Sequence, residues 1–347
     1  MDRASLEIGR GEVFTLLGPS GCGKTTTLRL VAGLERPDAG EITLRGRVVA
    51  SVPRRVFVPP NRRNLGMVFQ SYAIWPHMTV FDNVAYPLSL RGLGRTTIRE
   101  RVGRVLDLVG LAGTESRAAT LLSGGQMQRL ALCRALVYEP DLLLLDEPFS
   151  NLDAKLREQM RLELRLLQRR LGITVLFVTH DQIEALSLSD RIAVMHRGRV
   201  EQTGPPRSLY EAPASAFVRD FVGSTVILKG RVSALEPGRV RVTLDGPLGA
   251  RALAGRSVAS AALQNGAAVH VAIRPEDIGV QEGRADGAGA LPGVIDTLLF
   301  VGDRYEARVT IDGAQRIILL LARGREWKEG QAVALTFPPE AVSVWPA

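Results

Sequence analysis

Up to about Gly223 the chain alternates short apolar runs with amphipathic helical stretches, a pattern that predicts a mainly parallel sheet with crossover helices. Val13–Leu17, Leu142–Asp146 and Thr174–Val178 are nearly continuous in apolar residues, as strands buried on both faces must be. Thr26–Leu34 and Met127–Val137 read as helices. Between the first two strands lies a more helical insert, at about 75–135, which runs from Val80 through Arg101–Val109 and is rich in Arg and Leu. After Gly223 the period shortens to two in Leu228–Val232, Val240–Leu244, Val269–Ile273, Glu306–Ile311 and Ala332–Phe337, with Gly and Pro between them. Short strands so spaced predict a small all-β barrel or sandwich, inside which the Gly- and Ala-rich Gln281–Gly293 stretch reads as a loop. The expected domains are therefore 1–223 and 224–347.

Composition narrows the class only slightly. Hydrophobic residues make up 46% and charged residues 23%, globular values that argue against a disordered or fibrous chain. The net charge of +8 is almost all Arg, since Lys24, Lys155, Lys229 and Lys328 are the only lysines, and it is scattered rather than gathered into a nucleic-acid footprint. Cys22 and Cys133 cannot build a disulfide framework or a four-ligand zinc site, which fits a reducing cytoplasm. The first residues lack a signal-peptide core, and no run reaches the ~18 apolar residues of a membrane span, so any membrane role is expected to be peripheral.

Three motifs carry chemistry. Gly18, Pro19, Ser20, Gly21, Cys22, Gly23, Lys24 and Thr25 fit G-x-x-x-x-G-K-[ST], directly after a predicted strand and opening a helix through Thr26. Glycines let backbone N–H groups surround phosphates, the helix dipole assists, Lys24 reaches the terminal phosphates and the Thr25 hydroxyl can hold magnesium. Cys22 reads as a small residue filling an x position. Leu142–Pro148 is a buried strand ending in two carboxylates, of which Asp146 is placed to help hold Mg2+ and Glu147 to polarise the attacking water. Leu122-Ser123-Gly124-Gly125-Gln126 supplies a Ser cap and free N–H groups at a second helix start. Two phosphate-holding helix starts but one Lys-bearing loop suggest that the second grips the γ-phosphate of ATP held by another copy.

These motifs give the chain its resemblance to ABC-type ATPase subunits, running from Gly11 almost to the C-terminus. The resemblance implies an α/β P-loop NTPase fold, an ABC cassette with a helical subdomain, followed by a small all-β OB-like domain of the TOBE type. It further implies that Gln70 contacts magnesium and senses a membrane partner, that Ser150-Asn151-Leu152-Asp153 is a loop whose Asp153 acts in trans, and that His180 contacts the γ-phosphate. His77, His196 and His270 match no motif and are expected to be structural. Ser71–Val80 resembles the importer branch, where this region meets a permease, and Ile273–Asp277 resembles the accessory domain of sugar, polyamine, ferric-iron and sulfate importers.

The expected protein is thus an ATPase with ATP and Mg2+ as cofactors, Glu147 as base and His180 and Lys24 stabilising charge. Its expected partners are a second copy, transmembrane permease subunits and, indirectly, a solute-binding protein, at the cytoplasmic face of the membrane and without nucleic acid. The solute leans to ferric iron or polyamine over sugar, sulfate or another anion. A rival class is a soluble ABC ATPase acting on nucleic acid or ribosomes. Relatives are implied to begin with a further strand and an adenine-stacking aromatic, whereas here seventeen residues precede Gly18 and none before Phe14 is aromatic. Met1 is accordingly expected to be a misassigned or truncated start.

Overall fold

The computed structural model describes residues 2–246, 251–258, 263–283, 290–311, 313 and 315–347. They form two compact units, Met1–Glu211 and Ala212–Ala347. The division falls before the texture change at Gly223 because α8 (Ala216–Phe221) belongs to the second unit, where Arg274 donates to the Arg219 and Ser224 carbonyls at 3.1 and 2.9 Å.

In the first unit β1 (Val13–Leu17) leads into α1 (Lys24–Ala32), followed by the small antiparallel sheet β2 (Glu41–Leu44), β3 (Arg47–Ser51) and β4 (Val56–Phe57). Then come β5 (Leu65–Val68) and the helices α2 (Val80–Leu90), α3 (Arg95–Leu108) and α4 (Gly124–Leu136), which fill the region where the helical insert is expected. The unit finishes with β6 (Leu142–Asp146), α5 (Ala154–Leu171), β7 (Thr174–Thr179), α6 (Gln182–Leu188), β8 (Arg191–His196), β9 (Arg199–Gly204) and α7 (Pro206–Glu211).

The main sheet has the order β5-β6-β7-β1-β8-β9, parallel except for β9. The continuous apolar runs become its buried middle: every residue of β1 is buried, as are Leu142–Leu145 of β6. Register aligns the carboxyl ends, with Val68 opposite Leu145, Asp146 opposite Val178 and Leu17 opposite Thr179. In such a sheet ligands bind in the crevice beyond the carboxyl ends of the strands, so the loops after β5, β6, β7 and β1 become neighbours there. One core cluster packs Phe14, Leu16, Leu28 and Leu144; another joins the sheet to α2, α3 and α4 through Val84, Leu106, Leu130 and Phe177.

The second unit is all β after α8. Its strands are β10 (Val226–Glu236), β11 (Arg239–Leu244), β12 (Ala252–Ser257), β13 (Ala268–Ile273), β14 (Gly279–Glu282), β15 (Ala290–Phe300), β16 (Arg304–Ile311), β17 (Gln315–Ala322), β18 (Ala332–Thr336) and β19 (Ser343–Pro346). A closed barrel, β10-β11-β12-β19-β13, shares the unit with a five-stranded sheet, β14-β18-β15-β16-β17. The expected fold class, an α/β P-loop domain followed by an all-β domain, is therefore the observed one. The loop expected over Gln281–Gly293 is shorter: Gln281 and Glu282 pair with Ala334 and Val333, and Ala290–Gly293 pair with Val333–Thr336. Period-2 pairing overrides the Gly and Ala content at both ends, and 284–289 lie outside the described residues.

Candidate functional site

The loop between β1 and α1 is shaped by what its glycines avoid and permit. A Cβ on Gly18 would lie 2.3 Å from the Met195 carbonyl oxygen and 2.7 Å from Cys22 Sγ, so close packing against β8 excludes any side chain there. Gly21 and Gly23 adopt φ of 78° and 103°, left-handed values that turn the backbone into the start of α1. Cys22 is buried in the sheet core, while Ser20 and Thr26 are exposed on the open side. Lys24 is only 5% exposed and curls over the loop, Nζ donating to the Gly18 and Pro19 carbonyls at 2.8 and 3.0 Å. A phosphate entering the loop would take over that ammonium.

Next to it, Thr25 Oγ1 donates to Asp146 Oδ1 at 3.2 Å. Burial pushes the Asp146 carboxyl above its ordinary range; the Thr25 hydrogen bond opposes that shift, Glu147 adds to it by repulsion, and Arg29 and Lys24 oppose it. A half-buried carboxylate beside a hydroxyl is the hard-oxygen pair that a magnesium ion fits, and a cation would relieve the desolvation. Among the described residues no group of three or more His, Cys, Asp or Glu could hold a metal, so substrate phosphates would supply the remaining ligands.

Glu147 turns out of the strand path at φ 45°, its N–H held by the Val178 carbonyl at 3.0 Å. The turn aims its carboxylate between two neighbouring loops. Gln70 Nε2 donates to Glu147 Oε2 at 3.4 Å, and His180 Nδ1 lies 3.1 Å from Glu147 Oε1. Asn151 Nδ2 in turn donates to the Gln70 carbonyl at 2.8 Å. Residues far apart in sequence thus meet on one carboxylate, a group that can accept a proton.

Ser123, Gly124, Gly125 and Gln126 form a separate group. Ser123 and Gln126 make a reciprocal capping box on α4, Ser123 Oγ accepting from the Gln126 N–H and Gln126 Oε1 from the Ser123 N–H. A Cβ on Gly125 would meet Leu156 Cδ1 at 3.0 Å, and one on Gly124 would meet Leu152 Cδ2 at 3.6 Å. Asp153 caps α5 by accepting from the Leu156 N–H. The residues expected to act in trans therefore lie together, on helix starts packed against each other.

Two further residues shape the loop after Gln70 that motif reading misses. Asn83, fully buried on α2, accepts from the Trp75 N–H at 3.0 Å and donates to the Trp75 and Thr79 carbonyls. Arg134 on α4 donates to the Tyr72 carbonyl at 2.7 Å and to that of Ala73, and stacks 4.7 Å from the Trp75 ring. Tyr72 and Ala73 both have left-handed φ, which turns their carbonyls toward the guanidinium. Their only sequence signal is a polar residue within an apolar helical face.

The ABC transporter family profile matches residues 1–150, and the TOBE domain profile matches 271–345. The chain is 47% identical over 344 residues to a spermidine/putrescine import ATP-binding protein of Rubrobacter xylanophilus, covering 99% of this chain and 86% of that one. It is 44% identical to an Fe(3+) ions import ATP-binding protein of Rhizobium etli, covering 98% and 92%. A trehalose/maltose import ATP-binding protein of Thermococcus litoralis is 56% identical over 63% of this chain and 59% of its own length. Among solved structures, cbiO1 from Clostridium perfringens, a part of an ABC transporter complex, matches with TM-score 0.54 and 30% identity over 59% of this chain and 81% of that one.

Proposed function

The chain belongs to the ATP-binding subunits of ABC importers, ATPases that carry a TOBE domain, and from that premise we propose that it drives solute uptake by hydrolysing ATP between two copies of itself. The observation that carries the reading is the meeting of Gln70 and His180 on Glu147 beside the Lys24 loop. Gly18–Thr26 wrap the triphosphate, with Lys24 moving from the loop carbonyls to the terminal phosphates. Thr25, Asp146 and Gln70 would hold magnesium, whose chemistry there would be to neutralise phosphate charge. Glu147 takes a proton from the attacking water, and His180 stabilises charge on the γ-phosphate. Catalysis of this kind is mainly positioning and electrostatic stabilisation. Ser123–Gln126 and Asp153 complete the partner copy's site.

The functional partners are a second copy and transmembrane permease subunits, with a solute-binding protein acting through the permease; the subunit sits peripherally at the cytoplasmic face. Among the described residues no helix is long and apolar enough to cross a membrane. The solute is a polyamine or ferric iron, supported by full-length relatives of both kinds at similar identity. Action on nucleic acid is disfavoured because Trp327, Phe337 and Trp345 are buried in the β unit, which leaves the exposed Phe300, against Tyr305, as one isolated pair and not a row of stacking rings.

The test is Glu147→Gln. It is expected to retain ATP binding, lose turnover by about 10²–10⁴-fold, and sediment as a dimer with saturating ATP and magnesium. Wild-type turnover would show that Glu147 is not the base, and a monomer under those conditions would remove the sandwich. Calorimetric titration of the solute-binding protein that serves the same importer, with spermidine, putrescine and ferric iron, decides the solute.

A further inference from the structure

Arg157, one turn into α5, joins two loops that the proposed mechanism keeps apart. Its Nη2 donates to the Leu152 carbonyl at 3.2 Å, immediately before Asp153, and its Nη1 donates to Asp181 Oδ2 at 3.4 Å, immediately after His180. Its Nε is buried without a hydrogen-bond partner, 3.9 Å from Glu184 Oε1.

The far side of this bridge is a tight network. Asp181 caps α6, Oδ1 accepting from the Ile183 and Glu184 N–H groups at 2.8 and 3.0 Å. Glu184, 3% exposed, accepts from Thr179 Oγ1 at 2.6 Å, and that hydroxyl accepts from the Asp181 N–H at 2.9 Å. Burial pushes the Glu184 carboxyl up, with Thr179, Arg157 and His180 pulling it back. Both neighbours of His180 are thus fixed by the acids that face Arg157. Arg157 thus touches both the Leu152 carbonyl and the acid that follows His180.

We infer that Arg157 is a positioning residue linking the Leu152–Asp153 turn, which serves the partner copy's nucleotide, to the Thr179–Asp181 turn that holds His180 over the chain's own nucleotide. Occupation of one ATP site then sets the histidine of the other, and the loose Arg157–Glu184 pair is the contact that tightens or opens as it does so. The inference rests on the two-copy reading above. A simple staple between α5 and α6 would need an ion pair only; the carbonyl of Leu152 is what makes this contact a bridge. Lysine can keep the charge but, with one compact ammonium, cannot span carbonyl and carboxylates together.

The experiment measures hydrolysis by the full chain against ATP concentration for wild type, Arg157→Lys and Arg157→Gln, with ATP affinity read in the Glu147→Gln background. Wild type is expected to hydrolyse cooperatively. Both variants are expected to lose the cooperativity and about ten- to a hundredfold in kcat while ATP affinity stays within about twofold, because the P-loop is untouched. Arg157→Lys covers the case in which Arg157→Gln does not fold. Variants as cooperative and as fast as a cooperative wild type overturn the role of Arg157 alone. A Glu147→Gln chain that stays monomeric with ATP, together with a wild type showing single-site kinetics, overturns the two-copy reading and this inference with it.

Discussion

Single residues in this protein are constrained as much by the backbone facing them as by the chemistry they perform. Gly18→Ala puts a methyl 2.3 Å from the Met195 carbonyl, so it is expected to cost about 3 kcal/mol, the upper end for overpacking, and to abolish ATP binding measured by titration calorimetry. Asp190 is an example away from the site. It accepts from the Val13 N–H at 2.8 Å and pairs with Arg165, whose hydrogen bonds hold its carboxyl below the usual range against a smaller opposing effect of burial. A lowered carboxylate value contributes stability that is present above the unfolded value and lost as pH falls through the folded one. Asp190→Asn is therefore expected to be about 1 kcal/mol less stable in urea at about pH 7, discounted because the side chain is 37% exposed, with the gap to wild type closing below about pH 4. A gap independent of pH would show that the charge is not what Arg165 recognises.

At the scale of elements, α2 and α4 act as walls that hold an irregular loop. Asn83 and Arg134 add side-chain hydrogen bonds to carbonyls of the segment after Gln70, whose own backbone bonds are single turns such as Met78 N–H to the Trp75 carbonyl. Asn83→Ala leaves buried partners unpaired and is expected to cost about 1–3 kcal/mol and to open the Tyr72–Thr79 segment to limited proteolysis, with a change in Trp75 fluorescence. Unchanged cleavage would mean that Arg134 suffices alone. Neither residue announced itself in the sequence, because Arg134 and its Tyr72 carbonyl are separated by 62 positions and a polar side chain on an apolar helix face does not name its partner. The strands and the capping motif at Ser123 were legible, since periodicity and caps depend on a few successive residues. Strand content at the ends of 281–293 was not, because it comes from pairing with β18.

For the whole molecule, the two units have separate hydrophobic cores, one set built around Phe14, Leu130 and Phe177 and the other around Leu228, Leu291 and Leu335. Calorimetry of Glu147→Gln is expected to show two unfolding transitions, of which one gains about 2.7 kcal/mol at an ATP-magnesium concentration of about 100 Kd. A single transition that moves as a whole would show that the units unfold as one. The sequence by itself determined the phosphate loop, the paired carboxylates, the second capped helix start and the change from α/β to β texture. Each of these is written in a short contiguous stretch whose backbone geometry and periodicity are local. Only the tertiary structure decided that Gln70 and His180 meet on the Glu147 carboxylate, that Arg157 spans two loops and that Gly18 faces a carbonyl of β8. Those meetings depend on the strand order β5-β6-β7-β1-β8, which is fixed by non-local pairing and burial of apolar faces and which no short stretch of sequence encodes.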